Sequence, residues 1–303
     1  MAWGTWSLIL RPAGVDPRWS SAIMLAVVTV ACAPMLLRAR ARAGSFRRPR
    51  DWWLIVAMGI FDAANAGLFF AAMDVTTVAV AVLSHYLAPV FVALAAPRWL
   101  GTQRSARTVG LALAALFGLA LVLEPWRLAG EGAGSVILGS LLGAGSAVFY
   151  AANVILTKRM GPRFTAEEQL VYHAVISALV LTAFAVATHA RIPTSEGATR
   201  VALAAIVLGA TAGLLFLYGL RRIAAEHAGI LTFLEPLTAV LVAWLAWGER
   251  PGLAALIGGA IVVAAGIAAI REPPPTVDRT VAPAHESAAN PADSGAASRS
   301  TAA

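Results

Sequence analysis

The sequence predicts an all-α protein that crosses a membrane many times, and its composition, its apolar runs and their length support this fold class. Of its 303 residues, 59% are apolar before glycine is counted and 13% are charged, and the mean hydropathy is +0.75. Soluble proteins contain roughly 45–50% apolar residues even with glycine included. The apolar runs here are 15 to 21 residues long, close to the length at which a helix crosses a ~30 Å hydrocarbon layer. They are too long for membrane strands and lack the alternation of strands.

Nine apolar runs, separated by short polar gaps, define the predicted spans. Those before residue 125 are Ser21–Leu37, Trp53–Met73, Val78–Ala96 and Val109–Leu123, and those after it are Val136–Leu156, Leu170–Thr188, Val201–Leu220, Ala228–Trp247 and Leu253–Ile270. We expect each run to form one transmembrane helix.

The basic residues predict the orientation of these helices. Alternate gaps, at Arg38–Arg50, Arg98–Arg107, Lys158–Arg163 and Arg221–Arg222, hold 14 of the 23 Lys and Arg residues, and the gaps between them hold 6. The positive-inside rule places the first set, and the carboxy-terminus, in the cytoplasm. Because the basic residues lie in the loops, we interpret the net positive charge as an orientation signal and expect no nucleic-acid partner.

An internal repeat organises the chain. A shift of 147 residues aligns Leu87-Ala88-Pro89 with Leu234-Glu235-Pro236, and Gly101 with Gly248. The constant offset predicts two homologous halves, residues 1–125 and 134–271, with five spans each. An odd number of spans inverts the second copy relative to the first, which is the plan of many secondary transporters.

The two ends of the chain depart from this plan. The first span is visible only as MAWGTWSLIL, which is too short to cross a bilayer. We expect a start codon upstream of the one used here, the alternative being a half that opens with a stub. Residues 272–303 are rich in Pro, Ser, Ala and Gly without an apolar period, which predicts a disordered cytoplasmic tail. The single cysteine, Cys32, lies inside an apolar run and should pack between helices.

Three features together resemble the EamA-type family of the drug/metabolite transporter superfamily. They are Trp3-Gly4 near the start, the run LEPLTAVLVAWLAWGE from Leu234 to Glu249, and the two-copy plan. The resemblance covers roughly residues 1–271, and in the first half it is looser, with His85–Pro89 (HYLAP) at the place of the Glu-Pro pair. It implies a ten-helix inner-membrane carrier with a central cavity, usually exporting amino acids, metabolites or drugs. The truncated first helix departs from that pattern.

Glu235 and Pro236 stand side by side within an apolar run, and this pair needs an explanation. A proline in a membrane helix is tolerated where neighbours or water satisfy the freed carbonyl, and a deep carboxylate usually faces the bundle interior. Glu235 is therefore a candidate for binding substrate or a proton. The alternative is a structural acceptor at a helix kink, with Pro89 marking the corresponding kink in the first half.

Other polar residues within the spans are candidates for the same interior. The repeat turns His85 toward the space that Glu235 faces, and histidine titrates near neutrality. Asp62 is the other acid within a span. For each candidate the alternative is packing or an interhelical hydrogen bond. The further candidates for the cavity wall are Asn65, Tyr86, Tyr150, Asn153 and Trp3, the last of which aligns with Tyr150.

Residues near the span ends are expected to have no such role. Tyr172 and His173 are interpreted as interfacial anchors. The sequence Glu167-Glu168 and the pair Glu226-His227 are predicted to be solvated.

Enzymatic functions find little support. The sequence has no HExxH motif, no nucleophile elbow and no Walker loop, so we expect no cofactor, metal or ATP-driven step. The prediction is a secondary carrier that exports a small organic solute by alternating access. The alternatives are a membrane-embedded enzyme, whose only plausible polar centre is Asp62, His85 and Glu235, and a non-transporting sensor or scaffold.

The depth of the charged residues predicts the charge of the solute. Every Lys and Arg lies in a loop or at a span end, whereas Asp62, Glu235 and His85 lie deep. A site for multivalent anions needs a fixed cation to offset their desolvation. We therefore expect cationic, zwitterionic or neutral solutes, with the flexible stem of Lys158 as the one cation that could reach inward.

Overall fold

A computed structural model of the chain describes residues 13–42, 51–128 and 133–273. Over these ranges it contains helices and no β-strand, which confirms the predicted all-α fold. The helices are α1 Pro17–Cys32, α2 Met35–Arg42, α3 Trp52–Val75, α4 Val78–His85, α5 Ala88–Leu100, α6 Ala106–Leu123, α7 Ala133–Met160, α8 Ala166–Ala187, α9 Ser195–Ala204, α10 Thr211–Leu220, α11 Ala225–Thr232, α12 Leu234–Trp247 and α13 Leu253–Arg271. A 3₁₀ turn, Pro125–Leu128, precedes α7, and a π-helical segment, Ala205–Ala210, joins α9 to α10.

Eight helical segments in the described ranges are long and apolar enough to cross a membrane. They are Trp52–Val75, Val78–Leu100, Ala106–Leu123, Val136–Met160, Ala166–Ala187, Ser195–Leu220, Ala225–Ala246 and Leu253–Arg271. The shorter apolar helix α1 precedes them. The predicted first span and the tail after residue 273 lie outside the described residues, and so does Trp3.

Side chains at the helix ends explain where several helices start and stop. The hydroxyls of Thr77, Ser105 and Thr194 accept hydrogen bonds from backbone N–H groups in the first turns of α4, α6 and α9. Gly101 and Gly248 end α5 and α12 with φ of +69° and +72°. Glycine adopts this left-handed conformation without the steric cost that a Cβ brings. The aligned glycines thus end corresponding helices in the two predicted halves.

Two spans are interrupted at corresponding places. The helix breaks after His85, between α4 and α5, and again at Phe233, between α11 and α12. A shift of 147 residues carries the bounds of α4 onto those of α11. Pro89 and Pro236 fall in the first turn after each break, where a missing N–H removes no helical hydrogen bond.

Small residues let some helices approach very closely. Helix α3 packs along α7 and α8, α1 along α8, and α6 along α13. A Cβ built on Gly258 would lie 2.3 Å from the carbonyl oxygen of Gly118, so the backbones of α6 and α13 touch. The hydrophobic effect does not drive membrane helices together, because lipid is as apolar as their side chains. Close van der Waals packing at small residues contributes to their association instead. Large apolar side chains such as Phe117 and Leu141 face outward, as lipid-facing residues do.

The prediction that the polar residues at the span ends are solvated is wrong. Glu167 and Glu168 are 8% and 0% exposed, and Glu226 and His227 are 5% and 7% exposed. Glu168 forms a capping box with Thr165 at the start of α8. The other three lie where helices from distant parts of the sequence converge, and hydrogen bonds or ion pairs there compensate for lost water.

Candidate functional site

Two adjoining cavities lie inside the helix bundle. The larger has a volume of about 380 Å³ and the smaller about 270 Å³. Both are lined by Ser21, Met24, Asn65, Ala66 and Tyr150, so the two compartments share one wall. Together they extend over much of the depth of the bundle.

The compartments extend toward opposite ends of the bundle. We call the end where the gaps Arg98–Arg107, Lys158–Arg163 and Arg221–Arg222 emerge the basic end. The smaller cavity reaches Thr157 and His173, which lie near it. The larger cavity reaches Pro17, at the start of α1 and toward the opposite end.

Most residues selected from the sequence line these cavities. The larger is lined by Asn65, His85, Tyr86, Pro89, Tyr150 and Glu235, and the smaller by Asp62, Asn65, Tyr150 and Asn153. Pro236 is buried outside both linings. Trp3 is outside the described residues. His173, interpreted as an interfacial anchor, instead lines the smaller cavity and contacts the carbonyl of Gln169 through Nδ1 at 2.6 Å.

The two helix breaks meet at the wall of the larger cavity. Tyr86, at the first break, and Phe233, at the second, have ring centroids 5.5 Å apart. The hydroxyl of Tyr86 lies within side-chain hydrogen-bonding reach of the Glu235 carboxyl. Pro89 packs against Gly229, whose added Cβ would lie 3.3 Å from the proline Cα. The interrupted helices thereby bring Glu235 and Tyr86 together.

His85 is held by aromatic rings and by one hydroxyl. Its ring centroid lies 4.9 Å from that of Phe69, 5.6 Å from Tyr86 and 5.5 Å from Tyr150. Its Nδ1 lies 2.7 Å from Ser146 Oγ, which donates to the carbonyl of Gly143 at 3.0 Å. A carbonyl oxygen can only accept, so both bonds form together only when Nδ1 donates to Ser146. The neutral ring then presents Nε2 as an acceptor.

Asp62 is bound to the neighbouring helix α8. Ser177, which is fully buried, lies 2.9 Å from Asp62 Oδ2 and 2.8 Å from the carbonyl of Gly59. With its amide oriented to match its neighbours, Asn153 donates to the carbonyl of Met58 at 3.2 Å and accepts from the backbone N–H of Asp62 at 3.0 Å. Asn153 therefore ties α7 to the backbone of α3.

Asn65 leaves an acceptor unused at the junction of the two cavities. Its Oδ1 atom is inaccessible to solvent and has no hydrogen-bond partner among the described residues. Ser20 Oγ, at the wall of the larger cavity, is in the same state. A buried acceptor without a partner costs free energy, which a bound donor would recover.

The sequence did not reveal Ser146, Ser177 or Phe69 as parts of this site. Hydroxyls are common on membrane helices and often bond the carbonyl one turn back, so composition does not distinguish them. A phenylalanine in an apolar run carries no signal at all. Only the packing of α3, α7 and α8 shows what these residues contact.

The charges at the cavity walls are of one sign. Among the described residues, the linings include the acids Asp62 and Glu235 and no Lys or Arg. Arg18, next to Pro17, pairs with Asp74 at 2.5 Å and lies 3.6 Å from Asp16. Lys158, next to Thr157, has Glu226 as an electrostatic partner.

A polar network around the buried carboxylate of Glu272 joins helices at the basic end. Glu272 accepts from Thr108 at 2.9 Å and pairs with Arg107 at 3.0 Å and with His227 at 3.4 Å. Close by, Thr102 donates to Glu226 at 3.0 Å. Residues before position 125 supply the threonines and the arginine, and residues after 134 supply the acids and the histidine.

A second cluster at the same end involves α8 and α10. Tyr218 donates to Glu167, and Arg221 donates to the carbonyl of Phe164. Burial lowers the pKa of Arg221, and the nearby Glu167 carboxylate opposes this. Among the described residues no group of three His, Cys, Asp or Glu side chains could hold a metal ion.

Comparison with known proteins identifies the family. The family model described as "EamA-like transporter family" matches residues 1–124 and again 137–271. A relative from Archaeoglobus fulgidus, named an uncharacterized transporter, is 28% identical over 273 residues, which is 89% of this chain and 92% of the relative. One crystal structure, 22% identical, aligns with a TM-score of 0.74 over 88% of this chain and 93% of its own, and shows the likeness of fold. The chain is a multi-pass membrane transporter that belongs to the EamA-like transporter family.

Proposed function

We propose that this transporter exports a small organic solute, such as an amino acid, a metabolite or a drug-like compound, by alternating access between two halves. The halves are residues 1–125 and 134–271, and the solute occupies the larger cavity. The observation that carries the proposal is the contact between Tyr86 and Phe233, one from each half, beside Glu235 at the cavity wall. Helix breaks at a repeat interface are where secondary transporters bind their substrates.

The correspondence of the halves supports the mechanism. The double match to one family model and the coincidence of α4 with α11 after a constant shift indicate two copies of one unit. Inverted copies can exchange conformations, which opens the site first to one side and then to the other. We place the chain in the inner (plasma) membrane with its basic end and the tail, residues 272–303, in the cytoplasm.

The network around Glu272 at the basic end fits the closed state of that end. It joins Thr102, Arg107 and Thr108 of the first half to Glu226 of the second half and to Glu272, the residue that directly follows that half. Two halves tied together there cannot separate until these bonds break. We assign the network to the conformation in which the cavities are closed toward the cytoplasm.

The acids in the cavities are proposed to bind the solute or a coupling proton. Glu235 is the first candidate because it lines the larger cavity and is within reach of Tyr86. Asp62 lines the smaller cavity and is held by Ser177. His85 presents Nε2 as a third acceptor, whereas Asn153 bonds the backbone of α3 and serves the packing.

Multivalent anions should be rejected. A phosphate entering either cavity would lose its water without meeting a lysine or arginine among the described lining residues. The carboxylates of Asp62 and Glu235 would add repulsion.

Solute counterflow in proteoliposomes tests the proposal. The full chain, reconstituted in vesicles preloaded with a panel of unlabelled cationic, zwitterionic and neutral solutes, should accumulate the matching labelled solute saturably, and the recovered solute should be chemically unchanged. Chemical conversion of the solute would instead favour a membrane-embedded enzyme. Binding without any flux would favour a sensor or scaffold.

A further inference from the structure

The described residues that line the larger cavity supply hydrogen-bond acceptors but no lysine or arginine to act as a charged donor. Glu235 has several lone pairs beyond the one that Tyr86 can occupy. Asn65 Oδ1 is a buried acceptor without a partner among the described residues. His85, with Nδ1 directed at Ser146, presents Nε2 to the same space. A ligand that carries hydrogen-bond donors and a positive charge would pair with these acceptors.

The rest of the wall suits the body of such a ligand. Phe69, Phe70 and Met24 supply an apolar surface, and Tyr86 and Tyr150 add two further rings. The face of an aromatic ring attracts a cation within about 6 Å of its centroid. A volume of about 380 Å³ lies at the lower end of the range typical of small-molecule sites.

Among the described lining residues, a ligand carboxylate finds no lysine or arginine to pair with. Ser20, Ser21 and Tyr150 have hydroxyls that can donate but carry no charge. The cation nearest to Pro17 in sequence, Arg18, is already shared between Asp16 and Asp74. A carboxylate in this cavity would therefore lose its water and face Glu235 without a compensating cation among these residues.

We propose that the larger cavity selects an organic ammonium ion with an apolar body and discriminates against the amino acid of the same skeleton. This inference rests on the proposed function and narrows it, because amino acids are among the solutes which that function admits. The ammonium group binds at Glu235, with His85 as a neutral acceptor. The body lies against Phe69 and Phe70.

Three probes that share one phenyl ring test this selectivity. They are phenethylamine, phenylalanine and phenylalanine methyl ester, and calorimetric titration of the purified full chain at neutral pH measures their affinities. Phenethylamine and the ester should bind at least roughly tenfold more tightly than phenylalanine, since one uncompensated charge costs 1.4 kcal/mol or more. Equal or tighter binding of phenylalanine would overturn the inference, and so would failure of phenethylamine to bind.

Two variants locate the effect. Glu235→Gln should weaken phenethylamine binding about tenfold or more and shrink its advantage over phenylalanine. Glu196→Gln, which removes an exposed carboxylate paired with Arg200 on α9, should leave all three affinities unchanged. Full phenethylamine affinity in a folded Glu235→Gln protein would place the ammonium elsewhere and contradict the proposal. If Glu235→Gln does not fold, the ranking of the three probes on the wild type still decides.

Flux separates this inference from the proposed function. Counterflow of phenylalanine equal to that of its methyl ester would refute the amine selectivity while the carrier function stood. Absence of counterflow for every solute of the panel would refute the carrier function itself.

Discussion

The carbonyl oxygen of Gly118 lies against Gly258, so closely that a Cβ on Gly258 would come within 2.3 Å of it. Leu121 and the backbone nitrogen of Val122 close the remaining space, at 2.8 Å and 3.0 Å. These neighbours are backbone atoms or a Cβ atom, so no change of side-chain rotamer can move them away. The contact between α6 and α13 is thus a fixed junction between the predicted halves.

Gly258→Ala should destabilise the protein by about 1–3 kcal/mol, because the added methyl group forces α6 and α13 apart. Thermal unfolding can be followed with a thiol-reactive dye, since the single cysteine, Cys32, is 2% exposed and becomes reactive when the fold opens. Gly110→Ala on α6 is the matched control, because nothing lies within 4 Å of the added Cβ. Equal midpoints for the two variants would show that the junction is not tight.

Ser177→Ala should weaken the attachment of α8 to α3 by about 1–3 kcal/mol, because it leaves Asp62 and the carbonyl of Gly59 without their shared partner. A double-mutant cycle with Asp62→Ala measures the coupling of the two side chains. We expect a coupling of about 0.5–3 kcal/mol in the same thermal assay. Additive effects would mean that Asp62 does not depend on Ser177.

The spans could be predicted from the sequence because run length and hydropathy determine them. The predicted run Leu253–Ile270 differs from helix α13, Leu253–Arg271, by one residue. The span predicted to start at Ala228 begins instead at Ala225. The predicted start is late because Glu226 and His227 are polar and resemble loop residues. Their burial depends on Thr102 and Glu272, which are distant in sequence and which no local pattern connects to them.

The candidate site was predictable only in part. Ionisable residues inside apolar runs stand out, so Glu235, His85 and Asp62 could be selected, and all three line a cavity. Their partners could not, because Ser146 and Ser177 acquire their roles only where α7 and α8 pack against other helices. The repeat helped, since it turned His85 toward the space that Glu235 faces, and both residues line the larger cavity.

Glu272→Ala should open the basic end more often, since it releases Arg107, Thr108 and His227 at once. In a Cys32→Ala background, Thr157→Cys places a thiol at the wall of the smaller cavity near this end, at a site that is 4% exposed. A charged thiol reagent added from the basic side should label it several-fold faster after Glu272→Ala, whereas Glu196→Ala on α9 should not change the rate. Unchanged labelling after Glu272→Ala would mean that the network does not hold this end closed.

Removal of the chain after Pro275 should leave insertion and flux intact, because the composition of the tail cannot bury a core. Removal from Glu272 onward should lower the thermal midpoint, since Glu272 is the acid that the basic-end network surrounds. Both truncations can be compared by membrane yield and by thermal unfolding. Loss of folding in the shorter truncation would show that the tail packs against the bundle.

The most direct test of the account is flux through the Glu235→Gln variant in proteoliposomes. The variant should insert as well as the wild type, carry the preferred solute at least about tenfold more slowly, and show a flatter dependence on pH because an ionisable group is gone. Unchanged flux with an unchanged pH profile would reduce Glu235 to a residue that stabilises the helix break. Saturable uptake of a sugar phosphate by the wild type would contradict the account of the cavity's charge.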